Sequence, residues 1–416
     1  MQLNNIVPPS SCQSDFLPLT CPDQIGTLLL DARAASCRAE NELKGGDRIS
    51  SPLQVANFGT DTIYINYHIA WEAMDRIFPL LEELKAWLQS GTDQEANVKY
   101  GNTSLFSFNL QRGGSKHYQY ILKTGDITFL LSPRSHISTQ PNACLQIGSM
   151  SSQEGIRETV KAFRLWVHHH GGTIFQEAVS RIDICTDVKE NLRNTNIEDY
   201  EKHICRSSRC DLHTTDRQLS GVTVGRGNIM LRVYDKVLEM EQKKAFEKKL
   251  FFKRLWGGYD GPVTRVEFQL RREVIKDIFP NDSRFEVVMD KISELWKYLT
   301  CNWFRQASGK VDRVNKHQSR CEISKFWEIV QASASAGENK VTRNRRQIHI
   351  DIPALKKMVR GCMLTIAAGL GHAVEDFFGI MSTCRDILEN EVREHMETAE
   401  YRKKFSVKQT AAFVSF

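Results

Sequence analysis

The chain has 416 residues and a net charge of +6, set by 56 lysines and arginines against 50 aspartates and glutamates. A hydrophobic fraction of 41% with 25% charged residues excludes a disordered or fibrous chain, and the length suits two or three domains. The near balance of charge confines any nucleic-acid surface to a local patch. Eleven scattered cysteines without a Cys-x-x-Cys pair read as reduced thiols. The opening residues lack a basic segment followed by an apolar run, and the most apolar stretch, Cys362 to Leu370, is too short for a bilayer. A cytoplasmic protein with no membrane partner is expected.

Residues 1–52 are rich in Ser, Pro, Gly, Asp and Asn and read as a mobile tail with one short helix near Ile25 to Ala35. From Asp61 the patterns sharpen: a strand at Thr62 to His68, then an amphipathic helix from Trp71 to Leu88. Strands follow at Leu105 to Gln111, His117 to Lys123 and Ile127 to Ser132, with glycine turns between them. Ala143 to Ile147 is another strand and Gly155 to His169 another helix. The strand containing Asp183 is then followed by a helix over Ile197 to Cys205, strands at Leu219 to Val224 and Ile229 to Leu238, a helix at Glu241 to Trp256, and a strand around Glu267.

The order strand, helix, several strands, helix thus occurs twice between about 60 and 270. It predicts an α+β fold with a largely antiparallel central sheet, built from a duplicated β-α-β-rich unit and followed by a C-terminal helical module. That module comprises a helical run from Phe285 to Phe304, a helix at Ile323 to Gln331, a basic cluster at Arg343 to Arg346, a helix opening near Pro353, and one from Ala373 to Lys404. The expected divisions are a tail over 1–52, a catalytic domain over 53–305 and the helical module over 306–416.

Three segments carry candidate chemistry: Arg181-Ile-Asp-Ile-Cys-Thr-Asp187, Leu231-Arg-Val-Tyr-Asp-Lys-Val-Leu-Glu239 and Thr264-Arg-Val-Glu-Phe-Gln-Leu-Arg271. Each alternates apolar and polar residues, the mark of a half-buried strand. Ile182, Ile184, Val188, Leu231, Val233, Val237, Val266, Phe268 and Leu270 would face a core. The other faces would gather Asp183, Asp187 and Glu267 with Arg232, Tyr234 and Lys236. A tyrosine hydroxyl with a pKa near 10 is a weak nucleophile unless its phenolate is stabilised. Lys236, read as lying on the same strand face, could do this or bind a phosphate. Asp183, Glu267 and Asp187 could hold Mg²⁺ or Mn²⁺, hard ions that prefer oxygen ligands. The plain alternative is a set of solvated strands with a structural tyrosine.

The run Gly221 to Glu239, with its Arg-Val-Tyr-Asp-Lys-Val-Leu-Glu element, resembles the replication initiation factor (Rep_trans) family. The earlier Arg-Ile-Asp-Ile and the later Thr-Arg-Val-Glu-Phe-Gln-Leu-Arg strengthen the likeness, which covers about residues 55 to 300. The resemblance implies a rolling-circle replication initiator of a plasmid, phage or integrative element. In that family the tyrosine of the motif, here Tyr234, nicks DNA through a 5′-phosphotyrosine link and leaves a 3′-hydroxyl. It also implies metal-site roles for Asp183 and Glu267, with Asp187 a further candidate, and phosphate contacts from Lys236 and Arg232. The expected partners are origin DNA, double- and single-stranded, a host helicase and a second copy of the chain. A conjugative relaxase shares the same chemistry, and a non-catalytic sequence-specific regulator on the same scaffold is the rival outside enzymology.

Other motifs have simpler readings. His168-His-His170 fits a solvated helix C-terminus. His203, Cys205, Cys210 and His213 lack zinc-site spacing. Gly225-Arg-Gly227 suits a tight hairpin turn. The lysine pairs between 243 and 254 fit a solvated helix face as well as a phosphate track, and Phe251, Phe252 and Trp256 read as core rather than base-stacking residues.

Overall fold

The computed structural model describes residues 53–71, 74–98, 106–312, 318–334, 343, 352–373, 375–396, 398–402 and 405–406. The expected tail, with its short helix, and all of the basic cluster but Arg343 lie outside the described residues. Arg343 is ion-paired with Asp277 at 2.9 Å.

Two strands, β1 (Val55–Trp71) and β7 (Gly172–Val188), form the spine of an 11-stranded antiparallel sheet. They pair antiparallel from Val55 opposite Val188 to Trp71 opposite Gly172. Each is 17 residues long, well beyond the expected segments, because register shifts let the apolar pattern change phase without ending the strand. On β1 the inward residues are Phe58 and Thr60, then Ile63, Ile65, Tyr67 and Ile69; the odd step falls at Asp61, between Thr60 and Thr62.

Outward from β1 lie β6 (Ala143–Ile147), β5 (Ile127–Leu131), β4 (Tyr120–Thr124), β3 (Asn109–Gln111) and β2 (Glu95–Asn97). Outward from β7 lie β12 (Thr264–Arg271), β11 (Ile229–Asp235), β10 (Gln218–Val224) and β9 (Cys210–Thr215). Each half is therefore a long strand to which the last strand of its own ladder returns, which is the duplicated order expected. Strands β2 and β9 escaped prediction because edge residues such as Asp211 and His213 give no apolar alternation.

The other differences are local. The helix expected over Ile197 to Cys205 is a 3-10 turn at Tyr200–Lys202, followed by a short strand β8 (His203–Cys205) paired with β13 (Phe304–Gln306). The expected helix over 241–256 is two helices, Lys236–Gln242 and Phe246–Leu255, separated near Lys244, whose φ of 51° lies in the left-handed region. The run from Phe285 to Phe304 divides into Phe285–Asp290, Ile292–Tyr298 and a π-helical turn at Leu299–Trp303.

The apolar face of the sheet forms the main core. Phe268 of β12 meets Trp296 and Trp303 edge-on, with ring centroids 5.5 and 6.0 Å away. The helix Lys325–Ala332 closes this core with Phe326, Trp327 and Val330. Both buried indoles find backbone acceptors, Trp296 on the Val330 carbonyl at 2.7 Å and Trp327 on that of Thr300 at 2.9 Å. Farther along, Ile352–Gly369 and Phe377–Met396 pack as a helical pair around the buried Ala367 and Cys384. Among the described residues, no helix is long and apolar enough to cross a membrane. Replacing Phe268 with alanine removes the ring at the meeting point of sheet and tryptophans. It should lower unfolding stability by about 3–5 kcal/mol in urea titrations followed by tryptophan fluorescence.

Candidate active site on the polar face of the sheet

Strand alternation places Arg181, Asp183, Cys185 and Asp187 of β7 on the face opposite the core. Arg265, Glu267 and Gln269 of β12 and Arg232 and Tyr234 of β11 share that face. Tyr234 lies directly opposite Arg265, which lies opposite Asp187. One step along, Arg232 faces Glu267, and Gln269 faces Asp183.

Glu267 is the hub. Its Oε2 accepts the Tyr234 hydroxyl at 2.9 Å, and its Oε1 accepts Arg232 Nη1 at 2.7 Å. Arg232 Nη2 also donates to Gln269 Oε1 at 2.9 Å, while Gln269 Nε2 is buried without a partner. Asp183 sits diagonally from Glu267, about 7–8 Å away by strand geometry, and is held by two nitrogens of Arg181. Burial and repulsion from Glu267 push the Asp183 carboxyl up to about 6, against the pull of Arg181.

Asp187 plays a different part. It is fully buried, with Oδ1 bound by Arg265 Nε at 2.6 Å and Oδ2 by Arg265 Nη2 at 2.7 Å and Trp256 Nε1 at 2.9 Å. Arg265 is buried too and reaches Asp61 with its remaining nitrogen. Burial alone would raise the Asp61 carboxyl, but Arg265 and Lys236 outweigh it and hold it below the ordinary value. The structure thus brings Asp183 and Glu267 together and gives the third expected ligand, Asp187, to an arginine. Among the described residues, no three His, Cys, Asp or Glu side chains cluster as a metal site.

Lys236 also departs from expectation. Strand β11 stops at Asp235, whose side chain caps the next helix by accepting Leu238 N–H at 2.9 Å, so Lys236 opens a helix instead of extending the strand face. Its ammonium is buried, pairs with Glu239 at 3.0 Å and lies 5.6 Å from the centre of the Tyr234 ring. Burial and Arg265 lower its pKa. Burial, reinforced by Glu267, pushes the half-buried Tyr234 phenol well above its ordinary value, and Arg265 is the main cation pulling it back. Val237, expected on the core face of a strand, turns into the small cluster of Met240, Phe252, Trp256 and Val263.

Beside Tyr234 runs an open groove of about 460 Å³, bordered by His213, Thr223, Arg232 and Lys243. Gly221 makes room for it: a Cβ there would meet Tyr234 Cβ at 3.2 Å. His213 Nε2 lies 2.8 Å from Thr223 Oγ1 on the groove floor. Sequence reading put Gln269 on this face without a role, and missed Gly221 and Asp61. Asp61 alone left a trace, the odd spacing between the apolar residues before and after it.

Most of the remaining motifs follow their simpler readings. His168 and His169 end a helix in solvent as expected, but His170 is buried, its ring packed on Trp166 and its Nδ1 2.7 Å from the Trp166 carbonyl. His203 packs at a tilt against Phe304, while His213 lies against Thr223. Gly225 and Gly227, at φ of 88° and 86°, make the turn between β10 and β11. Lys243, Lys249, Lys253 and Arg254 each pair with an acid, and Phe252 and Trp256 are core.

No family model matches the chain, and no curated protein matches it. Among solved structures it aligns with a rolling circle replication initiator protein from Geobacillus stearothermophilus, at 13% identity and a TM-score of 0.36. The alignment covers 70% of this chain and 99% of that one. A likeness of this strength identifies neither family nor activity.

Asp187→Ala would remove the acceptor of two of Arg265's buried nitrogens and of the Trp256 indole, leaving Asp61 as the remaining paired carboxylate. Urea unfolding should show a loss of about 3–5 kcal/mol, with Asp187→Asn losing less.

Proposed function

We propose that this chain nicks and rejoins one strand of DNA through a phosphotyrosine intermediate, as an initiator of rolling-circle replication at an origin. The observation that carries this reading is the Tyr234 hydroxyl, 2.9 Å from a carboxylate and beside an open groove. The Arg-Val-Tyr-Asp-Lys-Val-Leu-Glu element supports the same reading by its resemblance to the initiator family.

In the proposed reaction the Tyr234 oxygen attacks the scissile phosphorus, and its proton passes to Glu267 Oε2. The bond from phosphorus to the 3′-oxygen breaks, and the proton held by Glu267 is available to the departing oxygen. One phosphodiester replaces another, so the 3′-hydroxyl can attack the phosphotyrosine and reseal the strand. Arg232 orients Glu267 and Gln269 and stands at the groove edge to meet a phosphate oxygen. Arg265, opposite Tyr234 across the ladder, opposes the rise of the phenol's pKa.

Asp183 and Glu267 are oxygen donors set diagonally on one face, and burial, with repulsion from Glu267, raises the Asp183 carboxyl despite Arg181. Such a pair fits Mg²⁺ or Mn²⁺. When bound, the ion would polarise the phosphate and stabilise the leaving oxygen. Asp187 is assigned to supporting Arg265. A host helicase remains an expected partner by the resemblance. A conjugative relaxase would use the same residues.

The test is a denaturing-gel assay for a covalent adduct on labelled single-stranded DNA from both sides of the gene, with and without divalent metal. Tyr234→Phe should reduce adduct formation by at least about 10³-fold while leaving the urea midpoint and non-covalent DNA binding intact. Persistent cleavage in that variant would remove Tyr234 as nucleophile, and tight duplex binding without any adduct would favour the regulator. Asp183→Asn should raise the metal concentration needed for half-maximal nicking by about tenfold or more, with partial rescue by excess Mn²⁺.

A further inference from the structure

On the same polar face, beyond Asp183 and away from Tyr234, lies a second open cleft of about 450 Å³. Tyr64, Arg181, Asn228, Arg271, Arg272 and Glu273 border it. Arg181 is committed to Asp183, and its guanidinium lies 5.0 Å from the centre of the Tyr64 ring. Arg271 stands directly opposite Arg181 across the β7–β12 ladder. Like charges directly opposite one another in a sheet repel. Neither Arg271 nor Arg272 has a side-chain hydrogen bond or ion pair among the described residues, so the cleft carries two uncompensated guanidinium groups beside an aromatic ring. Glu273 is exposed and offsets only part of that charge.

Its place relative to Tyr234 follows from strand β12. From Arg265, the cross-strand partner of Tyr234, to Arg271 is six residues, or roughly 20 Å at about 3.3 Å per residue. That distance is spanned by about six nucleotides of a stacked strand at ~3.4 Å each, and by fewer if the strand is extended.

We propose that this cleft binds unpaired nucleotides of the DNA strand on one side of the scissile phosphate. In it Arg271 and Arg272 take the phosphates, and the Tyr64–Arg181 pair offers flat surfaces to bases. Spare guanidinium groups set beside an aromatic platform are what a single strand requires, since its phosphates are charged and its bases are free to stack. The identity of the ligand as DNA rests on the nicking reading above; the binding of a single strand rests on the cleft itself.

The test uses the full chain and fluorescein-labelled oligo-dT of ten and twenty nucleotides, followed by anisotropy from 50 to 200 mM salt without metal. Arg271→Glu/Arg272→Glu should weaken binding at least tenfold. Loss of two phosphate contacts should lower the slope of log affinity against log salt by about 1.4, at roughly 0.7 per contact for a single strand. Arg271→Gln/Arg272→Gln should show the same slope change, and it decides the matter if charge reversal impairs folding by circular dichroism. Wild-type affinity and slope in the glutamine variant would overturn the proposal, as would a loss confined to duplex DNA. The two readings fail separately: weakened oligo-dT binding with no adduct on any DNA leaves the cleft standing and removes the nickase. Adduct formation with unchanged oligo-dT binding in the variants does the reverse.

Discussion

Arg265 is a guanidinium without solvent contact in the middle of a sheet, and such a charge persists only if every nitrogen finds an acceptor. Its partners come from two strands, Asp187 on β7 and Asp61 on β1, and Trp256, just past a helix, completes the shell of Asp187. Phe252 covers the guanidinium plane, 4.6 Å from the ring centre. Pairing fixes how β1, β7 and β12 lie against one another near the tyrosine, because a slip in any of them would leave a buried charge alone. The helices between β11 and β12 have no counterpart between β5 and β6. They supply the cover that keeps this network dry.

Above that foundation the polar face is graded in use. Next to Arg265 the side chains are saturated and structural; around Glu267 they are partly exposed and share their hydrogen bonds. At either end they border open clefts. The first half of the sheet repeats the topology without the chemistry: β5 and β6 put Thr128, Leu130, Cys144 and Gln146 on this face, where β11 and β12 put Arg232, Tyr234, Arg265 and Glu267. Duplication of the scaffold and specialisation of one half would account for both facts.

Much of this was legible in the sequence. Every apolar residue expected to face the core on the three chemistry-bearing strands does so, apart from Val237, because period-two alternation states which face is buried. The same alternation placed Asp183, Glu267, Arg232 and Tyr234 together. It could not reveal which carboxylates were already satisfied. Asp187 and Asp183 look alike in sequence, and only the folded chain shows that Arg265 and Trp256 occupy the first. Nor could it foresee that Asp235 would cap a helix and remove Lys236 from the strand. Capping depends on where the chain turns, and the motif's strand pattern ran straight through that point. Gly221 looked like an ordinary strand glycine until its neighbour across the ladder proved to be Tyr234.

The irregularity at Asp61 has a wider effect than its one carboxylate. Before it, Phe58 packs on Trp296, 5.3 Å between ring centres; after it, Ile63 and Ile65 enter the core. Because a strand's side chains alternate strictly, the extra residue lets one unbroken strand serve two phases of burial. An exposed loop tip tolerates a change of length, since it only lengthens the loop. Deleting one residue between Thr60 and Thr62 would instead turn either Phe58 or the whole isoleucine row toward solvent. Here chain length is itself an encoded quantity, as strict as the identity of any side chain in the core.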